Sequence, residues 1–112
     1  MDRQARKAAV AAYKERPPAW GVFAVVCNAT GQAWVGHSRH VDTQKNGLWF
    51  QLRQGGGLCA SLQAAWNEHG EPEFRFEELD RLRADYPEIG RLDELKKRET
   101  LWRERLRAEP LK

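Results

Sequence analysis

The stretch GVFAVVCNATGQAWVG, residues 21–36, constrains the fold more than any other part of this 112-residue chain. Two runs rich in valine and aromatic residues flank Asn28 and Gly31. Branched and planar side chains suit a pleated surface. A turn needs residues such as Asn and Gly, and Gly31 tolerates positive φ. The pattern predicts a β-hairpin with strands over residues 20–28 and 32–38. A lone hairpin is marginal in water, so the rest of the chain must cover it.

Helical periodicity supplies that cover. Residues 2–15 are Ala-rich and charged, place Ala5, Ala8, Ala9, Ala12 and Tyr13 on one side, and stop at Pro17 and Pro18. Residues 41–54 predict a weaker helix: Leu48 and Leu52 are spaced i, i+4, and Gly47 costs about 1 kcal/mol in its interior. Gly55, Gly56 and Gly57 break the chain and read as a connector, since no P-loop Lys-Ser/Thr follows them. In LCASLQAAWNEHG, Leu58, Leu62, Ala65, Trp66 and His69 share a helical face, and Gly70 is a good stop. EFRFEEL alternates Phe74 and Phe76 with charged residues, the period of a half-buried strand, and Leu79 continues it one step out of phase. Pro87 closes a loop, residues 89–107 predict the longest helix, and EPLK reads as a tail. Strands followed by helices on one face imply an α+β domain. The expected sheet is small, antiparallel and three-stranded, with a basic N-terminal helix over residues 1–16 and the domain proper over residues 17–112.

Charge is uneven along the chain. Residues 1–16 carry five Lys/Arg against two acids, residues 58–88 three against eight, and residues 89–112 eight against five, for a net charge of +3. Basic ends are compatible with a nucleic-acid face, although charge alone favours ordinary solvated helices. The acidic middle leaves room for a protein partner. Cys27 and Cys59 make no disulfide framework and read as reduced, partly buried thiols. The start has no apolar run of signal-peptide length and no segment approaches a membrane span, so a cytoplasmic protein is expected. His37 and His40 with the two cysteines lack the paired spacing of a structural zinc site. Trp20, Trp49 and Trp66 suit either a core or stacking on unpaired bases.

One acid stands in an unexpected place. Leu92, Leu95, Trp102 and Leu106 define the inward stripe of the last helix, and at 100° per residue Glu99 lies within about 60° of all four. Lys96, Lys97, Arg98 and Arg103 can turn to water. An inward carboxylate is costly unless it is paired, hydrogen-bonded or bound to a cation. Glu99 is therefore either an edge residue reaching solvent or an arginine, or a site acid able to hold a divalent ion.

These residues resemble the GIY-YIG nuclease domain. Gly21-Val22-Phe23 stands where that family has Gly-Ile-Tyr, and Trp34-Val35-Gly36 where it has Tyr-Ile-Gly, with ten residues between the triplets. His37-Ser38 follows at a place where small or polar residues are usual. LQAAWNEHG and FRFEELDRL look like the family's helix-then-strand passage, and ETLWRERL matches the helix that carries its metal-binding Glu, here Glu99. The resemblance runs from about residue 20 to 107. It implies a three-stranded antiparallel sheet flanked by helices and metal-dependent cleavage of a DNA phosphodiester. It also implies Mg²⁺ or Mn²⁺ on Glu99 as the cofactor.

The departures carry the functional expectation. Phe23 has no hydroxyl, Trp34 offers only an N–H donor, and the family's catalytic arginine position falls on neutral Gln44. Arg39 precedes the helix, and Lys45 points about 100° away from Gln44. Loss of one positioned group typically costs 10²–10⁴ in rate. The expectation is a nucleic-acid-associated protein with little or no cleavage. Its phosphate contacts would be Arg39, Lys45 and Arg53, around a cleft formed by Phe23, Trp34, Gln44 and Glu99. One alternative is an active metal-dependent endonuclease with a relocated base, His37, which otherwise is an exposed loop histidine. The other is a protein-interaction module that keeps only the fold.

Overall fold

The computed structural model describes residues 19–56, 59–83 and 85–111. The expected N-terminal helix, and Leu58 on the face of the second helix, lie outside the described residues. The hairpin forms as its sequence predicts. Strand β1 (Gly21–Cys27) pairs antiparallel with β2 (Ala33–Ser38), from Gly21 opposite Ser38 to Val26 opposite Ala33. Gly31 takes φ 79°, and its N–H donates to the Cys27 carbonyl at 2.8 Å.

Helix α1 (Gln44–Gln54) begins three residues later than periodicity suggests. Val41 is held instead by a 2.8 Å hydrogen bond from its N–H to the Ala19 carbonyl, and its side chain is buried. Gly55, at φ 76°, stops the helix. Helix α2 (Ala60–His69) follows and ends at Gly70. After one 3₁₀ turn, β3 (Phe74–Arg81) pairs antiparallel with the other edge of β1. Its register slips once: Phe23 faces Glu78 and Val22 faces Asp80, which leaves Leu79 unpaired. This bulge accounts for the out-of-phase Leu79, which packs on the side of the sheet opposite Phe74 and Phe76. Helix α3 (Arg91–Leu106) is the longest element, as expected.

The tail is not free. Arg107 adopts the left-handed conformation (φ 53°) and turns the chain back, so that β4 (Glu109–Pro110) lies parallel to β2. The sheet is therefore mixed and four-stranded, in the order β3-β1-β2-β4. The antiparallel three-stranded core is present, and β4 is an addition too short for any pattern to announce.

Strand alternation divides the core in two. Phe23, Val25 and Trp34 point to the face covered by α1 and α2, with Leu48, Trp49, Leu52, Leu62 and Trp66. Val22, Ala24 and Val35 point to the face covered by α3, with Leu82 and Leu95. The first face is built on rings: Phe23–Phe76 (5.0 Å), Phe76–Trp49 (6.1 Å), Trp49–Trp66 (5.4 Å), Trp66–Phe74 (5.2 Å) and Phe74–Trp34 (6.3 Å) form one unbroken series. On α3 the stripe is buried at Leu95, while its end residues Leu92 and Leu106 are exposed. No helix among the described residues is long and apolar enough to cross a membrane.

Candidate nucleic-acid interface

Both hairpin rings are sealed in the core. Phe23 retains 1% of its surface and stacks on Phe76; Gly36 sits opposite it, where an added Cβ would meet the Phe23 ring at 3.1 Å. A larger residue at this position would press on the Phe23 ring and on Leu111, whose Cβ lies 3.3 Å from the added atom. Trp34 is 0% exposed, and its indole N–H donates to Ser61 Oγ at 2.9 Å. Gln44, the first residue of α1, is half-buried and accepts a 2.8 Å hydrogen bond from the Ser38 hydroxyl. These three side chains share the α1–α2 side of the sheet.

Glu99 lies on the other side. It projects from α3 toward β2, where Oε1 meets His37 Nδ1 at 3.3 Å; the two side chains are 15% and 30% exposed. The inward position read from helical spacing is the observed one, and its partner is the histidine next to the second motif glycine. Val22 pairs with His37 across the ladder, so both belong to the α3 face. The four positions Phe23, Trp34, Gln44 and Glu99 therefore do not line one cleft: three are on one face and one is on the other. A carboxylate on Nδ1 favours the tautomer that leaves Nε2 as an acceptor, and His37 Nε2 has no partner among the described residues.

The basic residues divide in the same way. Arg53 is held in a two-point contact with Glu71 at 2.7 and 2.9 Å. Lys45 lies 5.5 Å from the Trp49 ring centre. With Asn46, Trp49, the exposed Phe50 and Glu71, these residues border a shallow hollow of about 420 Å³ on the outside of α1. Hydrogen bonding to Arg53 holds the Glu71 carboxyl below its ordinary range, and the same contact raises Arg53. Arg39 instead reaches the α3 side, with its guanidinium 5.2 Å from the Trp20 ring centre.

Other groups on the α3 face escaped the sequence reading. Arg98 is not turned to water: it bridges Asp80 at 3.0 Å and Glu94 at 2.9 Å, while Trp102 Nε1 donates to the other Asp80 oxygen at 3.4 Å. The bulge at Leu79 makes this possible, since it places Asp80 opposite Val22 on this face. Arg91, at the start of α3, lies 5.3 Å from Trp20 and donates to the Tyr86 carbonyl. A cation in the first turn of a helix opposes the helix dipole, which is the one signal of Arg91 present in the sequence.

Two solved structures share this architecture. The catalytic domain of homing endonuclease I-TevI superimposes with a TM-score of 0.69 at 18% identity, covering 83% of this chain and 98% of that one. A mutant of the catalytic domain of intron endonuclease I-TevI gives 0.67 at 19% identity, covering 80% and 84%. The chain has the GIY-YIG fold. No family model and no curated protein matches its sequence.

Among the described residues, no three His, Cys, Asp or Glu side chains come together as a metal cage, and Cys27 and Cys59 are free and buried. Glu99 offers one half-buried carboxylate. Mg²⁺ is commonly held by one or two carboxylates together with substrate phosphates. The donor set fits an ion brought and held largely by substrate and water.

Proposed function

We propose that this GIY-YIG domain is a nucleic-acid-associated protein that holds DNA and cleaves it little or not at all. The observation that carries the reading is the burial of Phe23 and Trp34. A scissile phosphate cannot reach either ring without dismantling the aromatic core. The only polar atom the two side chains possess, Trp34 Nε1, already donates to Ser61. Gln44 is neutral and engaged with Ser38. The nucleic-acid part is supported by the fold, which these residues share with endonuclease catalytic domains.

In this reading the chain's own residues bind and orient. Arg39 and Lys45 meet backbone phosphates, with Arg53 contributing less because Glu71 offsets its charge. Such contacts release counterions, so affinity falls steeply as salt rises. A divalent ion at Glu99 would supply charge neutralisation for a nearby phosphate oxygen. The buried, unbridged thiols accord with the cytoplasmic setting expected from the sequence.

A specific observation favours a second reading. His37 and Glu99 form a carboxylate–imidazole pair with Nε2 left over, the arrangement a relocated general base requires. Binding and cleavage assays on single-stranded, nicked and branched DNA, with and without Mn²⁺, separate the readings. The first predicts salt-sensitive retention and no product. Metal-dependent nicking by the wild type that disappears in Glu99→Ala overturns it in favour of an active nuclease. Absence of retention at low salt, with salt-insensitive capture of a protein partner, leaves an interaction module that keeps only the fold.

A further inference from the structure

Two guanidinium groups lie against one indole at the end of the hairpin ladder. Arg39 and Arg91 lie 5.2 and 5.3 Å from the Trp20 ring centre, which places the two charges within about 10.5 Å of each other. Stacking on an indole face offsets part of the repulsion. Neither arginine meets a carboxylate among the described residues. By contrast, Arg53, Arg75, Arg81, Arg83 and Arg98 all do. Arg91 is also the first residue of α3, where the helix already presents positive potential, and Gly90 before it provides no side-chain cap. Trp20 Nε1 and Arg91 Nε, like Arg103 Nε, are shut away from solvent with no acceptor among the described residues. An anion seated beside the two guanidinium groups would supply the negative charge that no carboxylate among the described residues gives them.

The location gives the anion a role. Trp20 is one residue beyond the Gly21–Ser38 pair and packs on the α3 face of the sheet. His37 lies on that face two residues before Arg39. Glu99 is two helical turns along α3 from Arg91. We propose that Trp20, Arg39 and Arg91 form a phosphate-binding clamp that seats a nucleic-acid backbone on the sheet face carrying His37 and Glu99. The clamp rests on the nucleic-acid reading given above, and it moves the principal contact away from the outer surface of α1. Arg39 can present its guanidinium fork to a pair of phosphate oxygens, as an ammonium group cannot, while Arg91, whose Nη2 already donates to the Tyr86 carbonyl, adds charge and its remaining donor.

The test uses the full chain and two probes, a single-stranded DNA oligonucleotide and inorganic pyrophosphate. Arg39→Gln and Arg91→Gln should each lower DNA affinity roughly five- to tenfold at low salt and reduce the slope of log affinity against log salt by about one. Arg83→Gln, at an exposed arginine, serves as the control. Circular dichroism checks folding, and Arg39→Lys and Arg91→Lys replace any glutamine variant that melts early. Those lysine variants should retain only part of the affinity. If the wild type binds DNA and the Arg39 and Arg91 variants bind with unchanged affinity and slope, the clamp is refuted and the nucleic-acid reading survives. If the wild type retains no DNA, that reading fails, and pyrophosphate decides the clamp alone. Quenching that requires Trp20, judged against Trp20→Phe, and that vanishes in both arginine variants supports an anion site for free phosphates; its absence ends the proposal.

Discussion

On the α1–α2 side of the sheet, six rings run in contact from Phe23 to Trp34, and no charged residue is buried among them. On the α3 side, five buried residues, none larger than leucine, are bordered by Arg98 with Asp80 and Glu94, by His37 with Glu99, and by Arg91 on Trp20. One sheet thus carries a face that supplies stability and a face that keeps its ionisable groups. Phe23 and Trp34 belong to the first. Glu99 belongs to the second.

The comparison breaks most readily at Trp34. Trp34→Ala should destabilise the protein by about 3–5 kcal/mol in urea unfolding, since it removes a fully buried ring and leaves Ser61 without its donor. Leu95→Ala, at the centre of the opposite face, should cost less, about 2–3 kcal/mol. A Leu95 loss equal to that of Trp34 would mean that the faces share stability evenly. Arg98→Gln should cost about 1 kcal/mol, because Arg98 and its partners are about a third exposed and water screens much of the attraction. The smallest effect belongs to Glu71, whose carboxyl Arg53 holds below its ordinary value. Its contribution is present above the unfolded carboxylate range and is lost as pH falls through the lowered folded value. Glu71→Gln should therefore lower stability slightly above about pH 6, leave it unchanged at acid pH and so flatten the acid limb of the stability profile, as followed by thermal melts.

Much of this was legible before any coordinates. Valine content and Gly31 specify the hairpin, alternation at Phe74 and Phe76 specifies β3, and the stripe through Leu95 and Trp102 places Glu99 inward. Strand parity also puts Phe23 and Trp34 on a common face once the register is fixed. What periodicity does not contain is which face each helix covers. That is decided by the chain's path after Arg81 and by the αL turn at Gly90, so the separation of Glu99 from the two rings is a tertiary fact. The same holds for the Glu99–His37 pair, which joins residues 62 positions apart. Arg98 reads as a solvated cation because Asp80, its partner, arrives only through a bulge on another strand.

The two-residue strand β4 has an effect beyond local pairing. It occupies the outer rim of β2, with Leu111 N–H bonded to the Val35 carbonyl at 3.1 Å, and its own Pro110 has no N–H to offer. At the opposite rim, β3 alternates cationic and anionic side chains, Arg75 with Glu77 and Arg81 with Glu78. Neither border of the sheet therefore invites a strand from a second molecule, and a chain with so apolar a hairpin is protected at both margins against fibrillar growth.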